Sequence, residues 1–189
     1  MRKRLITRGI WVAIGVLTLT TNVYSQKSVP LSPMDQGSWV FSAGVGPATN
    51  VFGNGYGFGP GFKFFFENGT FKLGPGVLTL GGEMGFSFFS DKFLGYKESW
   101  NNIMFGARSA YHYGWNVHGL DTYGGIPLGI GFSMYTHSNR IEYRGYHAVY
   151  PYLGFFLGTS YFFNKLVGIN GEVGYNVTYA NLGVIFRIN

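Results

Sequence analysis

From residue 38 to the C-terminus the chain alternates large apolar side chains with small or polar ones, at a period of two and in segment after segment. That period belongs to β-strands, whose successive side chains point to opposite faces. Eight segments carry it: 38–46, 61–67, 77–89, 103–114, 123–135, 149–163, 172–179 and 182–189. One face holds Trp39, Phe41, Val45, Phe62, Phe64, Phe66, Leu80, Met84, Phe105, Leu128, Phe155, Val173, Tyr175, Val177, Tyr179, Leu182 and Phe186. The other holds Ser42, Gly44, Thr79, Gly85, Ser87, Gly106, Gly129, Ser133, Gly158, Ser160 and Asn170, with Phe65 and Phe156 standing out among the small residues. No segment between them has a helical period.

Such a pattern allows two solutions, and charge decides between them. A soluble sandwich turns its polar face to water and defends it with charge. Here only 12% of residues are charged, against about 25% in ordinary soluble domains. The polar face is made of glycine and serine rather than lysine and glutamate. In a closed barrel within a bilayer the apolar face meets lipid and small residues line a narrow interior. The expected fold is therefore all-β: an eight-stranded, antiparallel, up-and-down transmembrane β-barrel.

The N-terminus has a different character. "MRKRLITRG" is basic, "IWVAIGVLTL" is a short apolar run, and "TTNVYS" supplies Val23 and Ser25 ahead of Gln26. This is the pattern of a secretory signal peptide, and the run is about half the ~20 residues that a spanning helix needs. The chain divides into a signal peptide at 1–25, a short periplasmic segment at 26–37 and a barrel domain at 38–189. Four of the 14 Lys and Arg lie in the signal and none of the 8 Asp and Glu, leaving ten against eight, +2. The basic isoelectric point is largely a property of the signal and supplies no nucleic-acid footprint. With no cysteine, neither disulfides nor cysteine metal sites are available.

Six charged residues keep the parity of the small face: Lys63, Arg108 and Arg187, with Glu67, Glu83 and Glu172. Buried charge needs partners, so they are expected to form an interior network. With the last turn placed in "YANL", Glu172 and Arg187 come opposite or diagonal to each other. Trp39, Phe66, Tyr113 and Phe163 are expected at the periplasmic lipid interface, and Phe62, Phe88 and Tyr179 at the outer one. The connections 47–60, 90–102 and 136–147 read as longer outer loops, and 68–75 and 164–166 as short turns. Both termini then lie on the periplasmic side.

The stretch "YPYLGFFLGTSYFFNKLVGINGEVGYNVTYANLGVIFRIN" resembles the C-terminal half of small outer-membrane β-barrel proteins, with their G-x-x-Y-F, G-x-x-x-E-x-G-Y and L-G-x-x-F strands. "GARSAYHYGW" with "LDTYGGIPLGIGF" is similar to their middle hairpin, and the length fits the OmpA/OmpX size class. The resemblance implies an integral protein of the outer membrane of a Gram-negative cell. Its implied partners are outer-membrane lipid, lipopolysaccharide and other outer-membrane proteins. It implies no single activity.

Chemistry is sparse. "THSNR" places His137 and Ser138 together and resembles the His-x-Ser-Asn motif of the lipid A deacylases, without the spacer residue. The four histidines have no metal-ligand spacing. The Gly-rich "NVFGNGYGFGPG" lacks the Lys-Ser/Thr of a phosphate loop. His112, Arg108 and Glu83 read as a polar plug. No cofactor, metal or nucleic acid is expected. The chain reads as a non-enzymatic barrel with a structural or interaction role: envelope integrity, surface contact, or an accessory subunit of an outer-membrane assembly. The alternatives are a lipid A-modifying enzyme, with His137 and Ser138 as its candidates, and a narrow conduit for small solutes.

Overall fold

The computed structural model describes residues 34–49, 59–93, 96–115, 117–138 and 143–188; for 91–93, 96–98, 137–138 and 143–146 it describes the backbone alone. The expected signal peptide and most of the Gly-rich loop lie outside these residues. Nine strands follow one another: β1 (Trp39–Pro47), β2 (Pro60–Leu73), β3 (Gly76–Phe93), β4 (Tyr96–Gly114), β5 (Leu120–Ser138), β6 (Tyr143–Leu153), β7 (Phe155–Phe162), β8 (Val167–Tyr175) and β9 (Ala180–Ile188). All pairings are antiparallel, and β9 pairs with β1 to close the sheet.

Strands β6 and β7 are two halves of one stave. Both pair with β5 in a single register, with Leu128 opposite Leu153 and Gly125 opposite Phe156. The interruption falls at Gly154, opposite Pro127. Gly154 donates its N–H to the Pro127 carbonyl at 3.0 Å, but proline has no N–H to return the bond. The barrel therefore has eight staves, and the ninth strand is the mark of one missing donor.

The faces sort as alternation requires. Leu182 is 75% exposed, Leu153 68% and Leu128 60%, whereas Lys63 and Arg108 are each 1% exposed and Glu67 is fully buried. A sheet closed on itself with its charges inside and its leucines outside is built for hydrocarbon, because closure gives each stave a neighbour on both sides.

Side chains fill the lumen in three tiers. At the end nearer the N-terminus, Met34, Val40, Phe65, Phe162 and Ile185 form an apolar floor. Met34 reaches it because the chain ahead of β1 doubles back, with Gly37 donating to the Gly69 carbonyl at 2.7 Å. At the opposite end Met104, Tyr150, Tyr152 and Val177 form a second apolar tier. Lys63, Glu67, Glu83, Arg108 and Glu172 lie between. Eight staves leave an interior that side chains can fill, and here they do.

Two expectations are corrected. The stretches 90–102 and 136–147 are mostly strand: β3 and β4 pair as far as Phe93 with Tyr96, and β5 and β6 as far as Ser138 with Tyr143. Their residues carry no apolar alternation because, beyond the bilayer, neither face has to be greasy. The last turn is also displaced. Gly174 donates to the Tyr179 carbonyl at 2.9 Å, and Thr178 N–H is held by the Asn176 side chain at 3.3 Å. The turn therefore lies about three residues before "YANL". Within it Val177 leaves the outer face and seats in the upper tier, 2% exposed.

The lengths differ sharply. β3 has 18 residues and β4 and β5 have 19 each, against 9 for β1, β8 and β9. A tilted strand crosses a bilayer in about 9–11 residues. Strands β3 to β6 thus rise above the other staves as a four-stranded sheet.

The depth dependence of the exterior is testable. Leu128→Arg places a charge in the outward apolar run from Ile126 to Met134, at an expected cost of ~2–4 kcal/mol, whereas Leu73→Arg, beside a turn, should cost about 0–1 kcal/mol. Unfolding by urea in lipid vesicles measures both. Equal small costs would contradict the assignment of faces.

Candidate functional site

The densest chemistry lies between the two apolar tiers, where strand parity sends the charged side chains. Arg108, midway along β4, is the hub. Its Nε donates to Glu67 Oε1 on β2. Its Nη1 donates to Glu83 Oε2 on β3 at 3.2 Å, and its Nη2 to Glu172 Oε1 on β8. Three staves thus supply one carboxylate each to one guanidinium. The fork geometry of arginine allows this, and a lysine could not reproduce it.

The aromatic exceptions on the small face belong to the same site. The guanidinium carbon lies 3.9 Å from the centroid of Phe65 and 3.8 Å from that of Phe156. The cation is held between two ring faces while its edges meet carboxylates. This is why two phenylalanines interrupt a run of glycine and serine.

The remaining partners extend the cluster both ways. Lys63 Nζ lies 2.5 Å from Glu172 Oε2 and 3.4 Å from Glu83 Oε2. Tyr152 donates its hydroxyl to Glu83 Oε1 at 3.1 Å, and Thr79 donates to Glu67 Oε2 at 2.8 Å. His112 stands between two acids, with Nε2 2.7 Å from Glu67 Oε2 and Nδ1 2.7 Å from Asp121 Oδ2. Between two carboxyl groups, a ring with a proton on each nitrogen donates to both. Tyr123 stacks on it at 4.7 Å.

Lys63, Glu67, Glu83, Arg108 and Glu172 therefore come together, whereas Arg187 does not join them. Its guanidinium is 3.9 Å from Asp35, at the floor end of the barrel. The expected Glu172–Arg187 contact is corrected by the displaced turn: Glu172 is opposite Asn181, six positions from Arg187 on β9. Asp121 and Tyr152 were missed. Both keep inward parity, and Asp121 escaped because the strand begins at Leu120 rather than Tyr123.

The arrangement is a buried network of ion pairs and hydrogen bonds. His112 with Asp121 has half the form of a hydrolytic triad, but its free nitrogen faces Glu67 and not a nucleophile. Among the described residues no group of His, Asp and Glu is placed to hold a metal ion. The side chains of His137 and Ser138 lie outside the described residues.

No protein-family model matches the chain, and no curated protein matches it in sequence. Among solved structures it is similar to Ail, the attachment invasion locus protein of Yersinia pestis. The TM-score is 0.51 at 14% identity, over 82% of this chain and 100% of that one. The fold is that of a small outer-membrane β-barrel. Two further Ail structures align with this barrel at 14% and 16% identity. One is in complex with the heparin analogue sucrose octasulfate, covering 82% of this chain and 100% of that one, with a TM-score of 0.46. The other is in a phospholipid bilayer nanodisc, covering 81% and 100%, with a TM-score of 0.37.

Removing one partner of a buried charge cluster costs about 3–5 kcal/mol, because the others are left uncompensated. Arg108→Gln is expected to fall in that range. In double-mutant cycles Glu172→Gln should couple to Arg108→Gln, and should add to Arg187→Gln within about 0.3–0.5 kcal/mol. Coupling with Arg187 and none with Arg108 would contradict the geometry.

Proposed function

We propose that this chain is an integral protein of the outer membrane of a Gram-negative cell. It is delivered by a signal peptide at 1–25, has both termini in the periplasm, and acts by contact rather than catalysis. Its lipid-facing belt is surrounded by outer-membrane lipid, and the tall side of the barrel stands among the lipopolysaccharide sugars. The working part is the sheet formed by β3 to β6 above the bilayer, and the partner is an extended segment of another protein, added as a further strand.

The edge of β6 carries this reading. Because Gly154 N–H points to β5 and the register is unbroken, even-numbered residues of β6 face β5. The odd-numbered ones, Tyr143, Gly145, His147, Val149 and Pro151, turn their backbone groups to the other side. Among the described residues no strand pairs with that side above the barrel rim. Pro151 lies where a missing N–H breaks no ladder bond, and it marks the lower limit of strand addition. Above it a row of unpaired donors and acceptors is available, as in any template for β-augmentation.

A photo-crosslinking side chain at position 147 should give adducts of defined size on cells, and Val149→Pro, which removes an outward N–H, should abolish them without altering heat-modifiable mobility. Adducts that survive Val149→Pro would refute strand addition. The filled lumen predicts no stepwise conductance from the purified protein in planar bilayers. Lipid A should have the same mass spectrum with and without the chain, and a modification lost in His137→Ala or Ser138→Ala would restore the enzyme reading.

A further inference from the structure

The apolar exterior is not uniform. On the side of β5 to β8 it is mainly aliphatic, with Ile126, Leu128, Leu153, Leu157 and Val173 exposed around Phe155 and Tyr161. On the side of β1 to β4 it is aromatic and indented. Ala43 and Gly82 stand among Phe41, Phe64, Phe66, Met84 and Phe105, and the indentation between them has a volume of about 770 Å³. Gly82 lets the Phe66 ring lie down over it as one wall: a Cβ there would come within 2.8 Å of the ring and push it aside. Both small residues occur at mid-height in the outward runs of their strands.

The indentation does not end at mid-height. A second groove of about 490 Å³ shares Phe41 and Phe186 with it and continues along Val167 and Ile188 to Leu166. Leu166 belongs to the turn between β7 and β8, which also carries the exposed Lys165. The two grooves therefore form one apolar track from the N-terminal rim to the middle of the bilayer, ending at the turn that carries Lys165. The track is open to the bilayer along its length, as a site for an acyl chain has to be.

We infer that this track binds one phospholipid of the periplasmic leaflet, with its phosphate at the rim beside Lys165 and one acyl chain lying past Phe41 and Phe186 to Gly82. The inference rests on the proposed orientation, which puts the turns at Gly74 and Lys165 in the periplasm. A chain held against aromatic walls exchanges more slowly than the chains on the aliphatic side. The exposed Lys165 in the turn at the end of the track favours an anionic headgroup. Lipid A is the competing source of acyl chains, but it enters from the opposite rim, whereas this track ends at the rim of the β7–β8 turn.

The test uses the full-length protein, extracted in mild detergent and examined by native mass spectrometry with added phosphatidylglycerol, phosphatidylcholine or lipid A. Wild type is expected to retain one phosphatidylglycerol. Ala43→Phe, which fills the track, should reduce that retention several-fold. Leu157→Phe, on the aliphatic side, should leave it unchanged, and Lys165→Gln should narrow the preference over phosphatidylcholine. Heat-modifiable mobility confirms that each variant is folded. Equal retention by folded wild type and Ala43→Phe would overturn the site. Retention of lipid A in place of phosphatidylglycerol would overturn the leaflet. Membrane fractionation reports separately on the outer-membrane location, so a misplaced protein and an empty track give different results.

Discussion

One buried cation organises this barrel. Arg108 is 1% exposed, and a guanidinium cannot shed its charge to escape a dry interior. Everything around it compensates. Three carboxylates take its donors, two phenylalanines cover its faces, and Lys63 and His112 offset the acids that outnumber it. A wider barrel would admit water and make this unnecessary. A narrower one would have no room for the fork. The small residues on the inner face leave the space that the long charged side chains occupy, which is why glycine and arginine share one parity.

The same backbone pairing serves two surroundings. Within the bilayer the outward side chains must be apolar, and the lumen must satisfy its own polar groups. Above it the ladder of β3 to β6 continues without either demand. This difference governs what the amino-acid sequence discloses. Leu80, Phe105 and Leu128 announce their strands because one face of each meets lipid. Lys92, Ser99 and Thr136 also lie in strand, but beyond the apolar runs, so no periodicity betrays them.

The interior was legible in parity and illegible in partnership. Alternation placed Lys63, Glu67, Glu83, Arg108 and Glu172 on one side. It could not say which of them meet, because that depends on the shear of the sheet and on the location of each turn. The displaced β8–β9 turn shows the sensitivity: a shift of about three residues leaves Glu172 inside but exchanges Arg187 for Arg108 and Lys63. Phe65 and Phe156 looked like lapses in the pattern. They are legible only once a cation is known to lie between them.

The first and last strands meet along a seam that pairs Trp39 through Val45 with Ile188 through Leu182, nearly the whole length of the chain apart. The hub residue and two of its acids lie on β2, β3 and β4, but Glu172 lies on β8 and reaches them only across the closed lumen. An open sheet would therefore carry Arg108 and Lys63 short of one carboxylate, in a medium that does not tolerate unbalanced charge. The entropy of joining distant ends opposes closure, and the charge pairing is gained only when closure occurs. Closure of the seam and neutralisation of the lumen are for that reason coupled: the backbone ladder between β1 and β9 and the ion pair between β8 and β4 belong to the same closed ring.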